Sequence, residues 1–441
     1  MPITPALSAA KMRRNLGVTT VKLANNSVTL EKIEQIEGNK FLGRTGSGTG
    51  NPDQINQFLH MKVPTWTNGG HVTNFSLLSA YLDGVARSNK NIPSSNFTAS
   101  LISTPGVGAN IPIFQGAVLG PNGKIYFAPN YNTIWTLIDP ATDTYSTFGQ
   151  FTKIAATPAM QSGILHPNGR IYFIPEGGIT TGVFVDPSNN SVTTFSDSGH
   201  LNFPSNTNYV DNSVLHPNGK IYVSAYTGAG GLNKVVVIEP NNNNNCYTFT
   251  STFNRAYINL GPNGNIYALN NNILYRIDPS SETITPKTLA AFVSNIHNSW
   301  FMLAPNGFLY SSAADGGANS SLGYINPFDE TVTTYAADPT LGTSQFTGGG
   351  VLAPNGKIYL TPYSYPNLVV IDPDTNTVTT HALPSSSNNG AAGFWLTAVL
   401  SPQGNIYFSN FGSTSTLKLS LNLNNNFNFN VLTNPFINRG F

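Results

Sequence analysis

Seven times along the chain an apolar run ends at a leucine, breaks into a short polar turn and resumes as a second apolar run. The sixth copy, Leu352–Pro362, reads LAPNGKIYLTP. Its centre suits a type I turn: Pro354 pre-sets φ at the first corner, Asn355 tolerates the second, and Gly356 takes the left-handed position that follows. Ile358 and Tyr359 then begin a new strand. The same words recur as LGPNGKIY from Leu119, LHPNGRIY from Leu165, LHPNGKIY from Leu215, LGPNGNIY from Leu260, LAPNGFLY from Leu303 and LSPQGNIY from Leu400. Anchor-to-anchor steps are 46, 50, 45, 43, 49 and 48 residues. That period is the length of a propeller blade, about 40–50 residues.

Within each unit the pattern predicts four strands. A small apolar strand ends at the anchor leucine, the Pro-Asn-Gly turn leads to a second, a variable loop precedes a third, and a polar turn leads to a fourth. An acid-proline pair closes the third strand at Asp139-Pro140, Asp186-Pro187, Glu239-Pro240, Asp278-Pro279 and Asp372-Pro373, with Asn326-Pro327 as a variant. Proline cannot continue a ladder, and the preceding carboxylate can bond the turn backbone. Two residues before each anchor stand Ala117, Gly163, Ser213, Ile258, Phe301, Gly350 and Ala398. Small residues fit where innermost strands converge on an axis, and the two bulky exceptions are expected to plug the channel. The expected fold is all-β, a seven-bladed propeller over 97–441. A small connecting unit (56–96) and an arm with short helices and a Gly-rich linker (1–55) precede it. Two stretches compete to close the last blade: the C-terminal NNNFNFNVLT and the upstream NFTASLIST beginning at Asn96.

Composition narrows the setting. Of 441 residues, 40% are hydrophobic, enough for a sizeable core, but only 9% are charged, against about 25% in an average soluble protein. Amides and hydroxyls supply the polar surface, which suits an extracellular or virion protein. The net charge of +1 is uneven. Residues 1–100 hold ten Lys and Arg against five acids, a mildly basic arm on a mildly acidic body. No basic run is long enough to bind nucleic acid. A single cysteine, Cys246, excludes an internal disulfide framework. The start, MPITPALSAAKMRRNLG, has no apolar stretch of signal-peptide length, and no segment reads as membrane-spanning. A virus particle released by lysis would reconcile an outside-type composition with the missing export signal.

The first hundred residues break the repeat. Leu30, Ile33 and Ile36 form one apolar stripe of a helix too short to stand alone. The Gly-rich stretch after Phe41 and Leu42 reads as a hinge, and Phe75, Leu78 and Leu82 suggest a helix before the propeller. Val28-Thr29-Leu30, Lys32-Ile33, Phe41-Leu42-Gly43-Arg44, Gly48-Thr49-Gly50 and Pro52-Asp53 together resemble a linker common in bacteriophage tail-fibre and collar proteins. Phe41 replaces that family's usual aliphatic residue. The resemblance implies a virion appendage, usually a homotrimer, attached through the arm. Leu30, Ile33, Ile36, Phe41 and Leu42 are then the candidate attachment and oligomerisation residues, and other virion proteins the partners. Within the repeats, KIYLTPYSYPNLVVIDPDTNTVTTHAL is similar to surface-layer repeats of the YVTN type, and the Pro-Asn-Gly hairpin to lyase-like seven-bladed propellers. Both mark the fold and not an activity.

No motif carries catalysis. Gly43–Asn51 lacks the Gly-Lys-Ser/Thr ending of a phosphate loop. Asp372–Thr380 begins like a calcium loop but lacks its glycine and closing glutamate. No two of the seven histidines have metal-ligand spacing, and His166 and His216 read as exposed turn residues. A lyase resembling the hairpin family needs a His/Glu constellation, and none is legible. Glu176, Asp197, Asp211, Asp315 and Asp338 are the only propeller acids expected near the rim opposite the turns. Paired carboxylates for glycan cleavage have no motif behind them. No cofactor, metal or catalytic residue is assigned.

Loop length is more informative. The loops between second and third strands vary, while the flanking turn words barely change. They carry Tyr131, Glu176, Tyr226, Asp315, Tyr363, Tyr365 and Phe411. Aromatic faces among amides suit a host-surface glycan or protein receptor. The expected function is a non-enzymatic viral structural protein, a fibre-like appendage displaying a propeller for host adhesion. A propeller lyase or glycan hydrolase acting on surface polysaccharide, or a cell-surface adhesion protein, is the alternative.

Overall fold

The computed structural model describes residues 93–104, 114–129, 134–150, 160–175, 181–196, 209–226, 234–251, 253, 256–270, 273–289, 301–304, 306–311, 322–334, 349–362, 367–384, 395–410 and 415–422, together with 40–43 and 53–56. The chain divides into two units, Met1–Val63 and Pro64–Phe441. In the first, Lys40–Gly43 pairs antiparallel with Asp53–Asn56, setting Phe41 opposite Ile55 and Leu42 opposite Gln54. A two-stranded ribbon thus brackets the Gly-rich stretch that reads as a hinge. The Leu30, Ile33 and Ile36 stripe and the Phe75–Leu82 helix lie outside the described residues.

In the second unit the repeats fold as expected, into seven four-stranded antiparallel sheets. Blade 1 runs Phe114–Leu119, Ile125–Pro129, Ile134–Asp139 and Thr144–Gln150. Blades 2 to 6 repeat that order, from Met160 to Ser196, Tyr209 to Thr250, Ile258 to Thr288, Phe301 to Thr334 and Gly350 to Ala382. Blade 7 takes three strands from the C-terminal end, Trp395–Leu400, Asn405–Asn410 and Ser415–Leu421. Its outer strand is Phe97–Ser103, paired along all seven residues from Phe97 opposite Leu421 to Ser103 opposite Ser415. Of the two stretches that compete to close the ring, the upstream one does so. Each innermost strand packs against the next, and that of blade 7 packs against that of blade 1.

The burial pattern explains the hydrophobic pattern. Second and third strands lie between two neighbouring sheets, so both faces are covered. Ile125–Pro129 and Ile266–Asn270 are buried throughout, and such strands read as continuous apolar runs rather than alternating ones. Outer strands face solvent on one edge, and Thr377–Ala382 has only exposed and partly buried residues. Side chains of one strand go alternately to the two neighbouring blades. Tyr126, Trp135 and Leu137 join Phe173, Val183 and Val185 of blade 2, while Ile125, Phe127 and Ile138 join Tyr407, Leu417 and Leu419 of blade 7. Burying one such side chain contributes about 1.5–3 kcal/mol.

At Gly163 and Gly350 the small residue before the anchor is required by this packing. A Cβ on Gly163 would lie 2.8 Å from Phe173 and 2.8 Å from Val118 of blade 1. Ile258, expected as a plug, packs among Val214, Tyr222 and Val235 of blade 3. Its side chain follows the strand's perpendicular direction toward a neighbouring sheet. Phe301 is likewise buried.

Candidate functional site

The topology divides the propeller into two rims. The strands flanking Tyr131, Glu176, Asp315, Tyr363, Tyr365 and Phe411 run to one rim, and these six residues lie outside the described set. Tyr226 ends the second strand of blade 3 at that rim, its backbone opposite Tyr209. Asp211 sits in the innermost strand of the same blade, while Glu176, Asp197, Asp315 and Asp338 are outside the described residues. The segment between second and third strands spans 271–272 in blade 4 and 312–322 in blade 5, so this rim varies while its scaffold does not.

The opposite rim carries the Pro-Asn-Gly turns, and its geometry is regular. Gly123, Gly169, Gly219, Gly264, Gly307, Gly356 and Gly404 all have φ between 76° and 86°, the left-handed region where a Cβ is penalised. The acid that closes strand three caps its turn: Asp139 Oδ1 accepts from Ala141 N at 3.0 Å, Asp186 from Ser188 N at 2.9 Å and Asp278 from Ser280 N at 2.8 Å.

What periodicity alone does not reveal is that the turn asparagine and the tyrosine four residues later clasp the next blade. Asn122 Nδ2 donates to Tyr126 Oη (2.8 Å) and to the Pro187 carbonyl of blade 2 (2.9 Å). Tyr126 Oη donates onward to Asn190 Oδ1 at 2.7 Å. Tyr172 reaches Asn244 of blade 3 at 2.8 Å, and Tyr267 reaches the Pro327 carbonyl of blade 5 at 2.8 Å. Tyr310 reaches Asn376 of blade 6 at 2.8 Å. Asn190, Asn244 and Asn376 all have positive φ, a backbone state that asparagine tolerates better than most residues. The recurring signal was present in the sequence as an Asn-x-x-x-Tyr spacing and a polar residue at a fixed place in the following turn. Only the ring shows that the two meet.

Several ion pairs of the described residues lie toward the same rim. Tyr407 of blade 7 donates to Asp143 of blade 1 at 2.5 Å, and Lys418 Nζ lies 2.6 Å from the other carboxylate oxygen. Burial, and then the Asp143 carboxylate, push the Tyr407 phenol well above its usual range. Lys220 pairs with Glu239 at 2.9 Å and donates to Tyr247 at 2.8 Å, and Tyr247 donates to Glu282 at 2.5 Å. Burial alone would raise the Glu239 carboxyl, but hydrogen bonds from Asn245, Lys220 and Asn242 outweigh it and hold it at about 2. Arg276 bridges to Glu330 of blade 5 at 2.9 Å.

The readings of two residues change. His166 and His216, expected to be exposed, lie within the clasps: His166 is 1% exposed, and their Nε2 atoms sit 3.1 and 2.9 Å from the carbonyls of Gly219 and Gly264 in the next blades. An imidazole spans the junction where other turns place Gly, Ala or Ser. The calcium-like stretch Asp372–Thr380 has its oxygens occupied by protein donors. Asp372 takes Lys357 and the Asp374 amide, and Asn376 takes Tyr310. Cys246 is buried, its Sγ against the Asn244 carbonyl at 3.3 Å. Among the described residues no three His, Cys, Asp or Glu side chains gather as a metal site.

This architecture defines an all-β, seven-bladed propeller. No protein-family model and no curated protein matches the chain. Solved structures share its fold. A streptogramin B lyase superposes with a TM-score of 0.58 at 16% identity, covering 74% of this chain and 98% of that one. A catalytically inactive virginiamycin B lyase from Staphylococcus aureus, with quinupristin, does so with a TM-score of 0.58 at 13% identity, covering 74% and 99%. The extracellular domain of a putative hybrid two-component system from B. thetaiotaomicron gives 0.54 at 12% identity, covering 74% of this chain and 43% of that one. Likeness at these identities defines the fold.

Proposed function

We propose that this protein is a non-enzymatic virion appendage of a virus, a phage by the resemblance of its linker. The N-terminal arm attaches it to the particle, with Leu30, Ile33, Ile36, Phe41 and Leu42 contacting other virion proteins or further copies in a homotrimer. The propeller faces outward and binds a host-surface glycan or protein through Tyr131, Glu176, Tyr226, Asp315, Tyr363, Tyr365 and Phe411. The observation that carries the reading is the fibre-like linker from Val28 to Asp53 standing upstream of a propeller, in a chain with only 9% charged residues. A rigid scaffold with variable loops on one rim supports it, because recognition is commonly carried by loops that a closed framework holds in place. Mass spectrometry and cryo-electron microscopy of purified particles test it: the chain is expected as a stoichiometric virion component, and its absence from the particles overturns the reading.

A second reading is a propeller enzyme, lyase or glycan hydrolase, with Glu176, Asp197, Asp211, Asp315 and Asp338 as the acids expected near the loop rim. The fold shared with streptogramin B lyase favours it only at the level of architecture. Incubation with host surface polysaccharides and with quinupristin separates the two: chain scission or ring opening abolished by carboxylate-to-amide changes supports the enzyme.

A further inference from the structure

Two of the inter-blade clasps contain a histidine. His166 Nδ1 accepts the Asn168 backbone N–H at 3.1 Å, and Nε2 faces the Gly219 carbonyl of blade 3 at 3.1 Å. His216 repeats the arrangement: Nδ1 accepts the Asn218 N–H at 3.1 Å, and Nε2 faces the Gly264 carbonyl of blade 4 at 2.9 Å. A ring nitrogen that accepts an N–H carries no proton, so each imidazole is the neutral Nε2–H tautomer and donates to the next blade. A second proton on Nδ1 would set an N–H against an N–H, break the hydrogen bond that shapes the turn, and place a charge between two sheets. The bridges also run in series, since His216 opens the turn whose Gly219 carbonyl receives His166.

We infer that blades 2, 3 and 4 form an acid-sensitive sector of the ring, two neutral histidines acting as proton-operated joints between consecutive blades. The Tyr172 ring lies 5.8 Å from His166, whose backbone N–H donates to the Arg170 carbonyl; the Arg170 guanidinium sits over Phe184, Asp186 caps its own turn and Lys220 pairs with Glu239. The Tyr222 ring lies 5.8 Å from His216, whose backbone N–H donates to the Lys220 carbonyl; the Lys220 side chain pairs with Glu239 and Tyr247, and Tyr247 with Glu282. The nearby carboxylates are already engaged, Glu239 by Lys220, Asn242 and Asn245, and Glu282 by Tyr247. Burial holds His166 below its ordinary range. The bridge is therefore intact above about pH 6.5 and weakens as pH falls through the depressed value. The strands leading into Glu176 and Tyr226 belong to this sector.

Hydrogen exchange of the full chain at pH 7.5 and pH 5.0, corrected for the intrinsic rate, tests the inference. Turn peptides 166–172 and 216–222 are compared with 120–126 and 261–267, where Gly120 and Gly261 replace the histidine. Acid is expected to reduce protection about tenfold in the histidine turns only. The His166→Gln/His216→Gln variant, which keeps a donor and cannot titrate, is expected to show no such difference. Equal changes in all four turns, or none in the histidine turns, overturn the inference. Imidazole 15N resonances of the unmodified chain decide it independently of whether the variant folds. Nε2–H tautomers at pH 7.5 that convert on acidification support the joints, and Nδ1–H tautomers overturn them.

Discussion

Blade 7 and blades 1 to 6 solve the same problem differently. In the first six, a covalent turn joins third and outer strands and presents acceptors to the preceding blade. In blade 7 that turn does not exist, because the outer strand, Phe97–Ser103, comes from the other end of the sequence. A pair of asparagines stands at the break: Asn422 N donates to the Asn96 carbonyl at 3.3 Å, and Asn422 Nδ2 to Asn96 Oδ1 at 3.0 Å. The neighbouring junction is rebuilt as well. Tyr359 of blade 6, whose burial pushes it up to about 12, bonds Asn355 alone among the described residues, at 3.0 Å. Instead the chain before the closing strand crosses to blade 6. Ser94 bonds Thr379 at 3.2 Å and His381 at 3.1 Å, and Phe97 meets the His381 ring edge-on at 5.7 Å. A ring needs one non-covalent seam, and the local clasp is given up where that seam lies.

The largest effect is expected from the seam. A chain beginning after Ser103 loses the seven-residue ladder and uncovers the third strand of blade 7, where Leu417 and Leu419 are fully buried. It should lose more than about 4 kcal/mol of stability in denaturant titration, whereas retention of the full-length midpoint would show that the seam carries no load. Overpacking between two covalently closed blades comes next. Gly163→Val places carbon against Phe173 and Val118 and should cost about 1–3 kcal/mol. The clasps then separate the two kinds of junction. Tyr310→Phe removes a hydroxyl that serves both Pro373 and Asn376 and should cost about 2 kcal/mol, while Tyr359→Phe should cost about half as much. Equal costs would erase the distinction. The smallest effect is electrostatic. The folded carboxyl of Glu239 is depressed to about 2 from an unfolded 4.5. Its contribution is therefore full above pH 4.5 and lost as pH falls through 2. Thermal unfolding across that window should be flatter for Glu239→Gln than for the parent chain.

Much of this was legible in the sequence. The repeat period, the left-handed glycines, the strand-closing acid and the small residues before each anchor are local consequences of backbone sterics and of burial on both faces. Asp139 and Gly356 each do what their immediate neighbourhood requires. The histidines were misread because a turn residue's exposure depends on the neighbouring blade, which lies 53 residues away for His166 and Gly219. The loop-rim candidates rest on length variation and residue chemistry, which identify a rim without fixing a geometry.

By itself, then, the sequence determined the blade: four strands, their turns and the faces that must be buried, all set by interactions within about 50 residues. The tertiary structure decided what joins blade to blade and end to end. Asn122 finds Pro187, Tyr407 finds Asp143 and Phe97 finds Leu421 only once the sheets have closed into a ring. Such pairings are set by the relative placement of whole sheets, which no local pattern along the chain encodes.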